Sequence, residues 1–269
     1  MLKCPQCLAP LTLLETGYEC LNRHHFDRSR LKVTHLLNKQ SSRLHGDNAT
    51  LIQARHTFLQ AGYYAPLKDA LLKQIQSLAP LTLVDLGCGE GYYTNAIQLA
   101  LPQTQVYGFD LSKEGLKIAA QAKTPAHYFC ASIAELPILD ASVDLVTCIF
   151  VPVYLEEIKR ILKPHGHLII ISPNPTHLIE LKEVLYPSVI LNPNPHYLSS
   201  HLTLKNEKNI QFPLIFKSQA EKNALLQMTP YYYTSKPEAI ESYLKMPSFK
   251  VNTDFSLQIY QYQPNNLDQ

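Results

Sequence analysis

The sequence predicts an α/β fold, a parallel sheet wound with helices, preceded by a small N-terminal module. Three observations predict it. The apolar run Leu81 to Leu86 breaks into a helical pattern, Thr94 to Leu101, through glycines at 87, 89 and 91. Short apolar runs then alternate with amphipathic stretches as far as Ser172, the rhythm of strand–helix–strand units. Ahead of all this, Cys4, Cys7 and Cys20 crowd into a stretch too short to bury a core.

Leu81 to Leu86 reads as a buried parallel strand. A strand that turns into a helix through glycines sets bare backbone and a helix N-terminus against a ligand. The spacing Asp85-x-Gly87-x-Gly89-x-Gly91 departs from a dinucleotide fingerprint, whose third glycine would stand at Tyr92. The form resembles motif I of the class I methyltransferases, which use S-adenosylmethionine. A second strand, Gln105 to Phe109, ends at Asp110, where a carboxylate can accept both hydrogen bonds of a ribose diol. Asp110-Leu111-Ser112 can also cap the helix Lys113 to Lys123. A third strand, His127 to Ala131, precedes Ser132 to Pro137, and a fourth opens across Asp140 to Val146. A helix closing at Lys163-Pro164-His165-Gly166 leads into the fifth, His167 to Ser172. These also resemble successive class I motifs, except that Ser132 stands where such proteins usually carry an acid for the adenine amino group.

Cys4-Pro5-Gln6-Cys7 is a knuckle, and Cys20 follows with His24 and His25 behind it. Thiolates and an imidazole at this spacing supply four tetrahedral ligands, so a closed, structural zinc site is expected on Cys4, Cys7, Cys20 and His24, one per chain. His25 would leave a longer spacing. Leu11 to Glu19 reads as a hairpin turning at Glu15-Thr16-Gly17, which a metal would hold together. A redox C-x-x-C is the rival, and it predicts no second ligand pair.

Leu31 to Lys39 reads as a short strand or turn, and Gln40 to Thr50 as a polar linker. Ala49 to Leu59 is a helix with Leu51, Ile52, Ala54, Arg55 and Phe58 at helical spacing, and Lys68 to Leu78 is another. After Ser172 the prolines at 173 and 175 stop regular structure. His177 to Leu185 is a helix, Tyr186 to His201 a long loop, and Leu202 to Phe216 alternates weakly, as a hairpin would. Helices follow over Gln219 to Met228 and Lys236 to Lys245, then a terminal strand, Lys250 to Tyr262, and a frayed tail, Pro264 to Gln269.

At 269 residues the chain can bury a full core, with room for a large domain and a small one. Formal charge is +2, unevenly placed: through His56 eight Lys and Arg face four Asp and Glu, a balance of +4, leaving −2 for the rest. The N-terminal part is therefore the expected seat of a polyanion contact. No apolar stretch spans a bilayer and no signal peptide opens the chain, so a cytoplasmic enzyme is expected. Cys88, Cys130 and Cys148, in or beside core strands, are expected as reduced thiols.

Taken together, the chain resembles the bacterial 23S rRNA guanine-N1 methyltransferases that carry an N-terminal zinc-binding module. The residues that carry the resemblance are Cys4-x-x-Cys7, Cys20-x3-His24-x-Phe26-Asp27, Gln53-Ala54-Arg55, Ala61-Gly62-Tyr63-Tyr64, Asp85 through Thr94, His177-Leu178-x-Glu180-Leu181 and Leu226 through Pro230. The resemblance implies a class I, Rossmann-like domain over 81–269, linker and helices over 41–80, and a zinc-binding RNA-recognition module over 1–40. It also implies that Tyr64, the Gly91-Tyr92 loop and His177 touch the donor, besides Asp85, Gly87, Gly89 and Asp110. It further implies a homodimer whose zinc modules flank a cleft for a 23S rRNA hairpin.

Methyl transfer from a sulfonium is an in-line displacement, so alignment is most of the catalysis. Guanine N1 is protonated at neutral pH and needs a base, which the sequence does not identify. Ile149-Phe150-Val151-Pro152 after strand four lacks the Asn/Asp-Pro-Pro-aromatic signature of enzymes that methylate exocyclic amines. Cys148 lies inside a strand pattern and reads as a buried thiol, not a nucleophile. Two rivals stand beside rRNA methylation. One is a methyltransferase acting on a small molecule, against which the basic module argues; the other is a non-catalytic RNA-binding protein, against which the intact loop and Asp110 argue.

Overall fold

The computed structural model describes residues 1–38, 46–194, 201–216 and 218–264. Most of the polar linker from Gln40, the end of the loop before His201, Lys217 and all of the tail after Pro264 lie outside the described residues.

The main body is one eight-stranded sheet. Its strands are β4 (Val33–His35), β5 (Thr82–Leu86), β6 (Gln105–Asp110), β7 (His127–Cys130), β8 (Val143–Ile149), β9 (Leu162–Pro173), β10 (Leu202–Ile215) and β11 (Lys250–Tyr262). They lie in the order β10-β11-β9-β8-β5-β6-β7-β4. From β4 to β9 neighbours run parallel, while β11 is antiparallel to β9 and β10. β5 is the switch point: the chain leaves it toward β6 on one side and returns to β8 on the other. Ligands of open α/β sheets bind outside the carboxyl ends at such a point. β5 is buried on both faces from Leu83 to Leu86, as a central parallel strand requires.

Helices cover the sheet: α1 (Ala49–Gln60), α2 (Ala65–Leu78), α3 (Tyr92–Ala100), α4 (Lys113–Gln121), α5 (Leu155–Ile161), α6 (Ile179–Leu185), α7 (Gln219–Gln227), α8 (Tyr231–Thr234) and α9 (Pro237–Lys245). Local chemistry sets their starts. The Asn48 side chain accepts from Leu51 N–H at 2.9 Å, and Ser112 Oγ from Gly115 N–H at 3.2 Å. Pro66 and Pro237 stand in the first turns of α2 and α9.

Two expectations are corrected. Leu202 to Phe216 is no hairpin: Leu202–Ile215 is one edge strand, paired along its length with β11. Its weak alternation comes from an edge position with few buried side chains, and Pro213 is tolerated there. The helix expected to close at Gly166 ends at Ile161, and β9 begins at Leu162, because the ladder to β8 captures the segment across a register shift.

The N-terminal module is a three-stranded antiparallel sheet, β1 (Leu11–Leu13), β2 (Gly17–Cys20) and β3 (His25–Asp27). It does not hang free. Lys3 N–H donates to Pro137 O at 2.9 Å, and Leu139 N–H to Met1 O at 2.8 Å. Tyr18 packs on Phe129 at 5.7 Å between ring centroids. Leu2, Cys4, Tyr18 and Phe26 share one buried cluster with Phe109, Phe129 and Ile138 of the main body.

Candidate active site and metal centre

The glycine loop closes the carboxyl end of β5. Gly87, Gly89 and Gly91 all take positive φ, at 67°, 53° and 76°. At Gly87 the conformation and the space agree: a Cβ would overlap Val151 Cγ1, so the loop and the segment after β8 touch through bare backbone. Gly89 N–H donates to Asp110 Oδ2 at 2.8 Å, and Ser112 N–H to Oδ1 at 2.6 Å. Each Asp110 oxygen keeps acceptor capacity for a diol.

Beside the loop lies a cavity of about 620 Å³, large enough for a small-molecule ligand. Tyr64, Asp85, Gly87 and Gly89 line it from one side, with Tyr92, Asp110 and His177. Of the expected donor residues Gly91 alone stands behind the wall, as the N-cap of α3. The Asp85 oxygens accept from Thr94 Oγ1 at 2.5 Å and Thr147 Oγ1 at 2.7 Å. Those bonds tie the loop to α3 and β8. Burial pushes its carboxyl up to about 6. Tyr64 is buried in a nest formed by Phe58, Phe150, Phe212 and Phe255. His177 Nδ1 accepts from Asp254 N–H at 3.1 Å, which leaves the ring proton on Nε2. Burial holds His177 down to about 3, so it is neutral in the physiological range.

Sequence reasoning missed three lining residues. Arg55 on α1 pairs with Asp47 at 2.6 Å and lies 3.9 Å from Glu90. The available signal was a charge at an apolar helical position. Glu90, inside the glycine loop, is buried, and its Oε2 has no hydrogen-bond partner. Phe150, just past β8, carries φ 58° and is 42% exposed.

The metal-ligating candidates converge. Cys4 Sγ and Cys20 Sγ lie 3.4 and 3.5 Å from His24 Nδ1, and Cys7 Sγ lies 3.6 Å from Cys20 Sγ. All four donor atoms fall within 4.8 Å of one another, so the group can hold a metal ion. Edges of roughly 3.5–3.8 Å are those of a tetrahedron with metal–sulfur bonds near 2.3 Å. His25 is engaged elsewhere, with Glu19 at 3.5 Å and Asp27 at 3.1 Å.

A methyltransferase-domain family matches residues 84–170, the span from the glycine loop to β9. A relative from Streptomyces fradiae, named 23S rRNA (guanine(748)-N(1))-methyltransferase, is 32% identical over 189 residues, covering 68% of this chain and 67% of its own. The chain belongs to the 23S rRNA (guanine-N1)-methyltransferase family. YxjB of Bacillus subtilis (strain 168) extends this likeness to 96% of both chains at 29% identity. YcgJ from Bacillus subtilis superposes with a TM-score of 0.50 at 18% identity, covering 74% of this chain and 98% of its own, a likeness of fold alone.

This family member is thus an S-adenosylmethionine-dependent methyltransferase with an α/β Rossmann-like fold. Among the described residues no helix is long and apolar enough to cross a membrane.

Two expected results concern the cavity of this methyltransferase. Asp110→Ala removes the acceptor for Gly89 and Ser112 N–H, and should weaken donor binding by about 1–3 kcal/mol in calorimetry; unchanged affinity would take Asp110 out of the site. The second concerns pH. Burial raises Glu90 to about 7 and Asp85 to about 6, above their unfolded values. Raised carboxyls contribute stability below their unfolded pKa and lose it as pH rises through about 6 to 7. A cationic donor favours the ionised carboxylates, so its affinity should rise from pH 6 to pH 8, by about tenfold for each unit by which it lowers a pKa. Glu90→Gln should flatten that rise; an unaltered pH profile in the variant would remove Glu90 from the linkage.

Proposed function

We propose that the protein transfers a methyl group from S-adenosylmethionine to N1 of a guanine in a 23S rRNA hairpin. The observation that carries the reading is a basic module, with a Cys/His cluster able to hold a metal ion, that shares a core with the sheet bordering the cavity. A basic module favours a polyanionic substrate over a small molecule. Relatives named for this reaction support it.

The proposed donor residues are Tyr64, Asp85, Gly87, Gly89, Gly91, Tyr92, Asp110 and His177. Asp110 accepts the ribose hydroxyls, neutral His177 donates from Nε2, and Asp85 pins the loop through two threonines. Bound S-adenosylmethionine supplies an electrophilic methyl group on a sulfonium. Zinc is the proposed occupant of the Cys4, Cys7, Cys20 and His24 site, since three thiolates and one imidazole fill a tetrahedron and leave no open position. The division at residues 40 and 80 is proposed as one of role: RNA grip, connection, methyl transfer. The cytoplasm, where ribosomal RNA is made, is the proposed location.

Arg23, Arg30 and Lys32 are exposed, and Arg28 is half-buried. Phe26, which lies among them in sequence, is buried in the core. Arg28 and Lys32 lie beside His127, whose pKa burial lowers first and their charges lower further. That places them at the amino end of β7, about a strand length (roughly 15 Å) from the cavity at the carboxyl ends. A hairpin bridges that span, and in the proposed homodimer one module flanks the cleft of its partner. Tyr231 and Tyr233 line the cavity wall, and the exposed ring of Tyr233 is available to a neighbouring unpaired base.

The test is methylation of an unmodified 23S rRNA transcript with labelled donor, followed by mass mapping. A single labelled guanine is expected; a transcript that takes no label, beside a labelled small molecule, would overturn the reading. In the same assay Arg23→Gln with Arg30→Gln should weaken RNA binding and flatten its salt slope by about two counterions, leaving donor affinity as it was. An unchanged slope would move the RNA grip elsewhere.

A further inference from the structure

We propose that Phe150 is the stacking platform for the acceptor base, a role that rests on the guanine reading above. Four observations converge on this side chain. Its position comes first. β5 is flanked by β6 and β8, and Asp110 closes β6 while Phe150 follows the last residue of β8. Both residues line the same cavity. Asp110 and the glycine loop would hold the donor from the β6 side, which would leave the β8 side of the cavity to the acceptor. The acceptor therefore enters where Phe150 stands.

Backbone conformation is the second. Phe150 has φ 58°, a left-handed conformation in which an aromatic residue is an outlier. The turn is required: it carries Val151 onto Gly87, where no Cβ would fit, while Phe150 N–H still donates to Ile171 O at 3.0 Å. Glycine would make that turn without cost. A strained non-glycine residue at a ligand site points to a use for its side chain.

The third is exposure. Phe150 is 42% exposed, although its neighbours on the cavity floor, Tyr64, Asp85 and Phe255, are buried. The fourth is support. Its ring leans on Phe255 at 5.3 Å and Tyr64 at 6.2 Å between centroids, so one side is backed by aromatics. Of the other aromatics on this wall, Tyr231 packs on Tyr186 with Lys182 over its ring, while Tyr233 is exposed, its hydroxyl bonded to Asn48 and its ring without the aromatic backing from the cavity floor that Phe150 has. A purine plane stacked on a backed, half-exposed ring is the arrangement by which proteins hold an unpaired base.

The chain has no tryptophan, so Phe150→Trp introduces a single indole, excited selectively beyond the absorption of the 16 tyrosines, whose fluorescence a stacked guanine quenches. The probe is a synthetic hairpin around the guanine located by mass mapping, beside the same hairpin with an abasic site there. Quenching by the first and not the second is expected. Phe150→Gly suits the left-handed backbone and should fold. It should lower kcat/KM for the hairpin by about 5- to 150-fold, the loss of one base–aromatic stack. Its donor affinity should stay within about twofold, and Phe150→Tyr should restore most of the activity. Equal quenching by both hairpins, full activity of Phe150→Gly, or a loss that tracks donor affinity would overturn the assignment. If the unaltered protein methylates no guanine in RNA, the function reading falls and this one with it. If it methylates normally and Phe150→Gly does too, only this inference falls.

Discussion

Gly87→Ala is expected to abolish methyl transfer by removing donor binding, with the fold kept. The added methyl has no room, because Val151 already occupies that space from the segment after β8. The backbone also resists it, since φ is 67° at this position. Overpacking costs about 1–3 kcal/mol and a left-handed non-glycine residue about 1–2 more, so a loss of roughly 2–5 kcal/mol falls on one loop. The loop can relieve the clash by lifting off Val151. That movement pulls Gly89 N–H from Asp110, now 2.8 Å apart, and opens the donor cavity. Calorimetry should show donor affinity lowered by at least about thirtyfold, the fold-change for roughly 2 kcal/mol. Circular dichroism and metal content should be those of the parent. A variant that binds donor normally would show that the contact with Val151 is not part of the pocket's construction.

Cys20→Ser is the second large effect, and here the structure changes the expectation. A freestanding knuckle would unfold alone and leave the other domain untouched. The module of this protein is not freestanding. Cys4 and Cys20 are buried in the cluster that contains Phe109, Phe129 and Ile138, and β4 completes the main sheet beside β7. Binding energy in a structural site of this kind is folding energy, about 10–16 kcal/mol in isolated modules. Loss of the metal should therefore lower the melting temperature of the whole chain, with destabilisation above about 3 kcal/mol. Metal analysis should find one equivalent of zinc in the parent and almost none in the variant. Two separate melting transitions, with the upper one unmoved, would show that the shared cluster does not couple the parts.

What could be read in advance divides along a physical line. Local features carried their own signature. The glycine loop is legible because only glycine accepts three left-handed positions in five residues. The Cys4, Cys7, Cys20 and His24 cluster is legible because its donor chemistry and spacing suit one ion. Asp110 is legible because it ends the strand next to the loop. The parallel strands are legible because burial on both faces demands continuous apolar runs.

Features made by distant pairings were not legible. β10 reads as a hairpin until β11, from the far end of the chain, pairs with it. The burial of Phe26 has no local signature and follows from the docking of the module on the main body. Arg55 and Glu90 are unremarkable as single letters. They become a site only when α1 crosses the loop and brings the guanidinium 3.9 Å from a buried carboxylate.

By itself, then, the sequence determined the fold class, the glycine loop, the Cys/His cluster and the succession of parallel strands along the chain. Each rests on period, glycine conformation or ligand spacing within a few residues. Only the tertiary structure decided that the N-terminal module shares the main core, that His24 rather than His25 completes the ligand set, and that Phe150 stands open at the switch point. Those depend on which surfaces meet across long stretches of chain, and that is settled by the packing of the whole rather than by any segment.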